Sequence, residues 1–198
     1  MNGPVPTAPD SPKTPSEIIV YRQQNGICCV LTENNRPVEV IRAADQALRR
    51  QDLILGVVRQ PMPSLNAVFI DIGAEHDAWL PRTEAPADVK AGQTILVQIR
   101  KENAGGKGHR VTTRPELPGP YAVYLPLGQP RRRSKLRSLP AQEQKTLFDN
   151  DLKQLEQTWL QILQDSRSGP APRLLHPFGD PCYAALISWA GPDLVRIR

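Results

Sequence analysis

Cysteine is scarce in this sequence. Three residues, Cys28, Cys29 and Cys182, do not make the even, well-spread set of a disulfide-stapled secreted scaffold. Cys28 and Cys29 are adjacent on an expected strand, so their side chains leave on opposite faces; these two, and the solitary Cys182, read as small core residues in a reducing compartment. No apolar run approaches the roughly 18 to 20 residues that a membrane-spanning helix needs. Nor does an apolar segment follow a basic one at the amino terminus, so no leader is expected and the expected location is the cytoplasm. The three histidines, His76, His109 and His176, stand apart from any base, nucleophile or carboxylate constellation, and no catalytic residue is assigned. Gly106-Lys107 hints at a phosphate loop, but the required flanking glycine and hydroxyl positions hold Lys101 and Gly108, which excludes ATP or GTP binding of that type.

What is present is basic and rich in β-formers. The 198 residues carry a formal charge of +5, which leans toward a polyanionic partner, and about two fifths of them are apolar, enough for one good core or two small ones. The charge is concentrated. Arg131, Arg132, Arg133, Lys135 and Arg137 fall in one short run with no acid among them. Residues 1–15 hold five prolines and almost nothing that could be buried, and read as a disordered tail.

Order is expected from residue 16. Ile18 to Val20, Ile27 to Leu31 and Val38 to Ile41 form a three-stranded meander over residues 16–50, with Asn25-Gly26 suited to a primed turn. Residues 51–115 carry five more β-rich runs: Leu53 to Arg59, Ala67 to Ile72, Ala78 to Leu80, Thr94 to Lys101 and His109 to Thr113, punctuated by prolines and glycines. Five short strands at this spacing suit a Greek-key barrel of the OB type. Residues 116–198 begin with an apolar strand, Tyr121 to Leu125, and the basic run. The period then changes to about 3.6, with Phe148, Leu152, Leu155, Trp159, Ile162 and Leu163 on one stripe of an amphipathic helix of about 25 residues, ended by Gly169-Pro170-Ala171-Pro172. Two β-like runs follow, Arg173 to Leu175 and Tyr183 to Trp189, and the sequence closes on an apolar-basic strand without an evident partner, which reads as unfinished.

Across the barrel, Gly56-Val57-Val58-Arg59 leads to Pro63-Ser64-Leu65-Asn66-Ala67-Val68-Phe69-Ile70-Asp71-Ile72-Gly73 and then to Ala78-Trp79-Leu80-Pro81. Downstream come Gly92-Gln93, Val97-Gln98-Ile99, Lys101-Glu102, Gly106-Lys107-Gly108, Val111-Thr112-Thr113 and Leu117-Pro118-Gly119-Pro120-Tyr121. This order and spacing resembles the S1 RNA-binding domain of the ribonuclease E/G family, most strongly from Gly56 to Pro126. The resemblance implies an α+β chain in which a five-stranded OB-type barrel is inserted in a partial ribonuclease-H-like and 5′-sensor region. It places the family's base-stacking positions on Phe69 and Trp79, and its RNA-contacting lysine on Lys107. Taken alone, Phe69 suits a core strand, Trp79 suits either a partly exposed site or packing, and Lys107 suits a solvated loop; the surrounding pattern turns all three toward contact.

The resemblance is incomplete. The family's Arg-Thr strand, expected between the basic run and the helix, is missing, so recognition of 5′ ends is not carried over. The nuclease half, whose Asp-x-Asn strand holds a hydrated Mg²⁺, and the zinc-linking C-P-x-C motif are not found. Phe148-Asp149-Asn150-Asp151 imitates part of the metal motif but lies in the helix, where it reads as a solvated face. The expected function is therefore single-stranded RNA binding without cleavage, through Phe69, Trp79 and Lys107, with Arg131, Arg132, Arg133, Lys135 and Arg137 adding phosphate contacts. No cofactor is expected, Mg²⁺ entering only if a nuclease half is supplied. An endoribonuclease completed by a partner or a downstream segment is the alternative, a structural remnant that assembles in a ribonucleoprotein is a third, and a homo-oligomer remains open.

Overall fold

The computed structural model describes residues 16–24, 26–44, 48–102, 107–189 and 194–197; the expected tail over residues 1–15 and Asn25 of the expected primed turn lie outside them. Strands β1 (Ser16–Gln23), β2 (Gly26–Glu33) and β3 (Arg36–Ala44) form the expected antiparallel meander. The β2–β3 connection is a two-residue turn in which Asn34 and Asn35 both take positive φ, 52° and 60°, the conformation that matches the twist of a hairpin and that asparagine tolerates. The strand near the end of the sequence does have a partner, contrary to expectation. That strand, Leu194–Ile197, lies parallel to β1 and completes a four-stranded sheet, and a parallel partner so distant in sequence leaves no local signal.

The barrel is built from β4 (Leu53–Met62), β5 (Ala67–Asp71), β6 (Ala78–Pro81), β7 (Thr94–Lys101) and β8 (Arg110–Thr112). Neighbours follow the order β4-β5-β6-β8-β7, and β7 returns to β4, which closes the ring. β4 serves two neighbours in succession: Leu53 to Val57 pair with β7, and Val57 to Met62 pair with β5. Gly56 sits at this handover, where a Cβ would come within 2.5 Å of Ile70 and 3.0 Å of the Asp71 carbonyl oxygen. Beyond Val58 the strand has β5 on one side only. Proline is tolerated on such an edge, so β4 runs on through Pro61 to Met62 instead of stopping near Arg59. Inside, Ile54, Val58, Val68, Ile70, Ile72, Ala78, Leu80, Val97, Ile99 and Val111 form the core, each valine, leucine or isoleucine contributing about 1.5 to 3 kcal/mol for full burial.

After the barrel, β9 (Leu117–Pro118), β10 (Ala122–Tyr124) and β11 (Arg131–Arg132) make a small sheet with β10 in the centre. The buried Gln98 side chain ties it to the barrel, donating to the carbonyls of Gln51 and Glu116 and accepting from the Glu116 amide, all at 2.9 Å. The long helix α1 (Ala141–Ser166) matches the predicted span, and its stripe of Phe148, Leu152, Leu155, Trp159 and Ile162 packs with Leu53, Leu117, Ala122 and Phe178. One expectation for α1 fails. Asp151 is not on a solvated face but 7% exposed, and its Oδ2 accepts from the Tyr121 and Ala122 amides at 2.7 Å each. A carboxylate that satisfies two backbone donors belongs inside, whatever its neighbours in sequence do.

β12 (Arg173–His176) pairs antiparallel with β4 as its β-like run suggested, but the run Tyr183 to Trp189 is helical: α2 spans Pro181–Trp189. A short apolar run does not reveal its period. The start signal is local instead. The Asp180 side chain accepts from the Cys182 amide at 2.7 Å and the Tyr183 amide at 3.1 Å, and Pro181 occupies the first helical position, where its missing N–H is no loss. α2 packs on the meander. Cys182, solitary in sequence, meets Cys29 there; burial first, and the Cys182 thiol second, push the Cys29 thiol up to about 12. Both are free and buried, as core residues should be.

Asp52, 2% exposed, joins the barrel to the turn before α2: Oδ2 accepts from the Arg49 amide and Oδ1 from the Gly179 amide, both at 2.8 Å. Asp52→Ala strands two donors, so a loss of roughly 2 to 3 kcal/mol is expected in urea unfolding. An unchanged midpoint would show the latch to be energetically idle.

Candidate nucleic-acid interface

Strand alternation builds the site. On β5 and β6 the pairs Val68 with Leu80 and Ile70 with Ala78 point into the barrel, so the intervening pair, Phe69 with Trp79, points out on directly opposite positions. Both rings are half-buried, resting on the barrel surface with the rest of each open to solvent. The next strand continues the row, because Trp79 is the register partner of Arg110 on β8 and the Arg110 guanidinium lies 5.1 Å from the Trp79 ring centroid. Phe69, Trp79 and Arg110 thus form a line across three adjacent strands.

Lys107 arrives at this line through Gly108. A Cβ at position 108 would lie 1.7 Å from the Asp77 carbonyl oxygen, so only glycine lets the loop press against the start of β6. The Trp79 amide donating to the His109 carbonyl at 2.9 Å fixes the next residue. The result is an open groove of about 420 Å³ lined by Leu65, Ala67, Phe69, Asp77, Trp79, Lys107 and Gly108. At its end Asp71 and Asp77 flank Arg59, at 2.7 and 3.8 Å.

The structure therefore brings Phe69, Trp79 and Lys107 together around one cleft. It does not bring the basic run to that cleft. Arg131 pairs with Glu116 at 2.8 Å, Arg132 lies 5.1 Å from the Phe148 ring centroid, and Arg133 donates to the Gly119 carbonyl at 3.3 Å. Lys135 donates to the Ser188 carbonyl at 2.7 Å, and burial, followed by the charge of Arg133, lowers its pKa. Arg137 is exposed. Much of this run secures the small sheet and α1, and charge density alone could not show that. Sequence reasoning also passed over Leu65, Asp77 and Arg110. Parity could have found two of them, since Asp77 shares the outward phase of Trp79, and Arg110 precedes the inward Val111.

Among the described residues no group of three or more His, Cys, Asp or Glu side chains is placed to hold a metal ion, and no helix is long and apolar enough to cross a membrane.

A closed five-stranded barrel with a helix packed beside its exit defines an α+β protein of the OB class, a fold that binds oligonucleotides and oligosaccharides on its strand face. Comparison with known proteins narrows this. Ribonuclease E of Nostoc sp. (strain PCC 7120) is 29% identical over 92% of this chain and 32% of its own length. Ribonuclease E of Haemophilus influenzae is 28% identical over 91% and 24%, and ribonuclease G of Escherichia coli 34% identical over 36% and 19%. No family model matches. The chain is related to the ribonuclease E/G family, and it spans between about a quarter and a third of the length of the two ribonuclease E relatives named.

Proposed function

We propose that this chain binds single-stranded RNA in the cytoplasm, with the barrel acting as an S1 domain. Bases stack on Phe69 and Trp79, while Lys107 and Arg110 meet the phosphates. The carrying observation is the outward cross-strand pair Phe69 and Trp79, joined to Lys107 in one groove. Aromatic platforms accept any base, so affinity should be micromolar and sequence-tolerant to first order. The meander over residues 16–50 and the region beyond 115 serve as ribonuclease-H-like and sensor-derived support for the barrel. Binding of a labelled, unstructured oligoribonucleotide at low salt tests the reading, and failure to bind overturns it.

Salt dependence separates the groove from the basic run. With Lys107 and Arg110 as the phosphate contacts, a fourfold rise in salt should weaken binding roughly sevenfold, from a slope of about −0.7 per neutralised phosphate. If Arg131, Arg132, Arg133, Lys135 and Arg137 also contributed, the loss would approach roughly a thousandfold for the same change.

A second reading, favoured by the names of the relatives, is an endoribonuclease whose catalytic residues come from a partner or a further segment. Magnesium-dependent cleavage by the purified protein, abolished by a chelator, would establish it in place of binding alone.

A further inference from the structure

We infer that Asp77 makes the groove selective for guanine over uracil. The inference rests on the RNA-binding reading above and adds a base preference to it. Phe69 and Trp79 offer flat apolar surface, Lys107 offers a cation, and Asp77 is the one carboxylate among the residues lining the groove. Phosphates are drawn to Lys107 and Arg110 and repelled by Asp77, so the edge of a stacked base is what meets the carboxylate. An ionised carboxylate only accepts hydrogen bonds. Guanine presents two adjacent donors, N1–H and the N2 amino group, which match two carboxylate oxygens. Uracil presents a single N3–H between two carbonyl oxygens, each of which would face a negative oxygen.

Asp77 retains the capacity for this contact. Its Oδ1 lies 3.8 Å from Arg59 Nε, beyond hydrogen-bond distance, while Arg59 spends its close bond, 2.7 Å, on Asp71. Asp71 is held further by accepting from the Gly73 amide at 2.9 Å. None of the described ion pairs joins Lys107 to Asp77. Gly108, pressed on the Asp77 carbonyl, fixes the backbone from which the carboxylate projects. The side chain is 42% exposed, so solvent competes and the preference should be moderate.

The test measures anisotropy of labelled decauridylate and of the same strand with one central guanosine or inosine, against wild type and Asp77→Asn. Wild type should bind the guanosine strand about fivefold to tenfold tighter than decauridylate, with inosine, which lacks the amino group, in between. Asp77→Asn should bind the guanosine and uridine strands within about twofold of each other and hold decauridylate at least as tightly as wild type does. Equal binding of all strands by wild type would overturn the base preference and leave RNA binding standing, as would a variant that kept the preference. Binding of none would overturn both. The inosine comparison uses wild type alone and so does not depend on the variant folding.

Discussion

Replacing Phe69 and Trp79 together by alanine should weaken binding of an unstructured RNA by at least about thirtyfold, since each stacking platform is typically worth about 1 to 3 kcal/mol. The structure makes this the largest effect available at the interface. The two side chains occupy directly opposed positions on β5 and β6 and face out of the barrel, so their loss removes platform while Val68, Ile70, Ala78 and Leu80 keep the interior filled. Each single substitution should show a substantial part of the loss. Trp79→Ala carries an additional component because it also releases Arg110 from its ring. Anisotropy titrations on the two single variants and the double variant, with urea unfolding as a control, decide the matter. A double variant that bound normally with an intact barrel would move the RNA-binding surface elsewhere and favour a role in assembly.

The largest expected stability effect lies at Asp151. Alanine there leaves the Tyr121 and Ala122 amides without an acceptor in a closed setting, for an expected loss of roughly 3 kcal/mol. Asparagine should cost no more than about 1 kcal/mol, because both amides converge on Oδ2 and a single amide oxygen can serve them both. The pH dependence sharpens the contrast. Burial raises the Asp151 pKa, with the two amides and Arg133 pulling it the other way. A carboxyl whose folded pKa exceeds its unfolded value stabilises the fold fully below the unfolded value, and loses that contribution as pH rises through the folded one. Asp151→Asn should therefore gain on wild type as pH climbs from about 4 toward neutrality and then hold level. Urea midpoints of both proteins across that range give the difference directly; a gap that widened in the opposite direction would mean that the amides outweigh burial.

Local patterns in the sequence carried much of this architecture. The meander, the five barrel strands and α1 were readable because each is a run whose period is set by one buried face, and the motif singled out Phe69, Trp79 and Lys107, which the fold gathers around one groove. The failures share a physical cause. Asp151 is buried by two amides about thirty positions upstream, α2 is announced by a capping aspartate and a proline rather than by its apolar run, and the strand Leu194–Ile197 owes its place to β1. The position of the basic run was hidden for the same reason. Its contacts, Glu116, Phe148 and the Ser188 carbonyl, are distant in sequence, so no local pattern showed that the run sits beside the small sheet and the helices and away from the groove.

The pairing of β1 with the strand Leu194–Ile197 also sets an order of events during synthesis. All five barrel strands lie within residues 53–112, and the ring can close once that stretch has left the ribosome. The four-stranded sheet cannot, because the strand beside β1, Leu194–Ile197, lies far beyond the barrel in sequence. Until residues 194–197 emerge, the nascent chain should thus carry a finished barrel beside a meander whose β1 edge is bare, a part of the molecule exposed to mispairing and proteolysis until that strand docks.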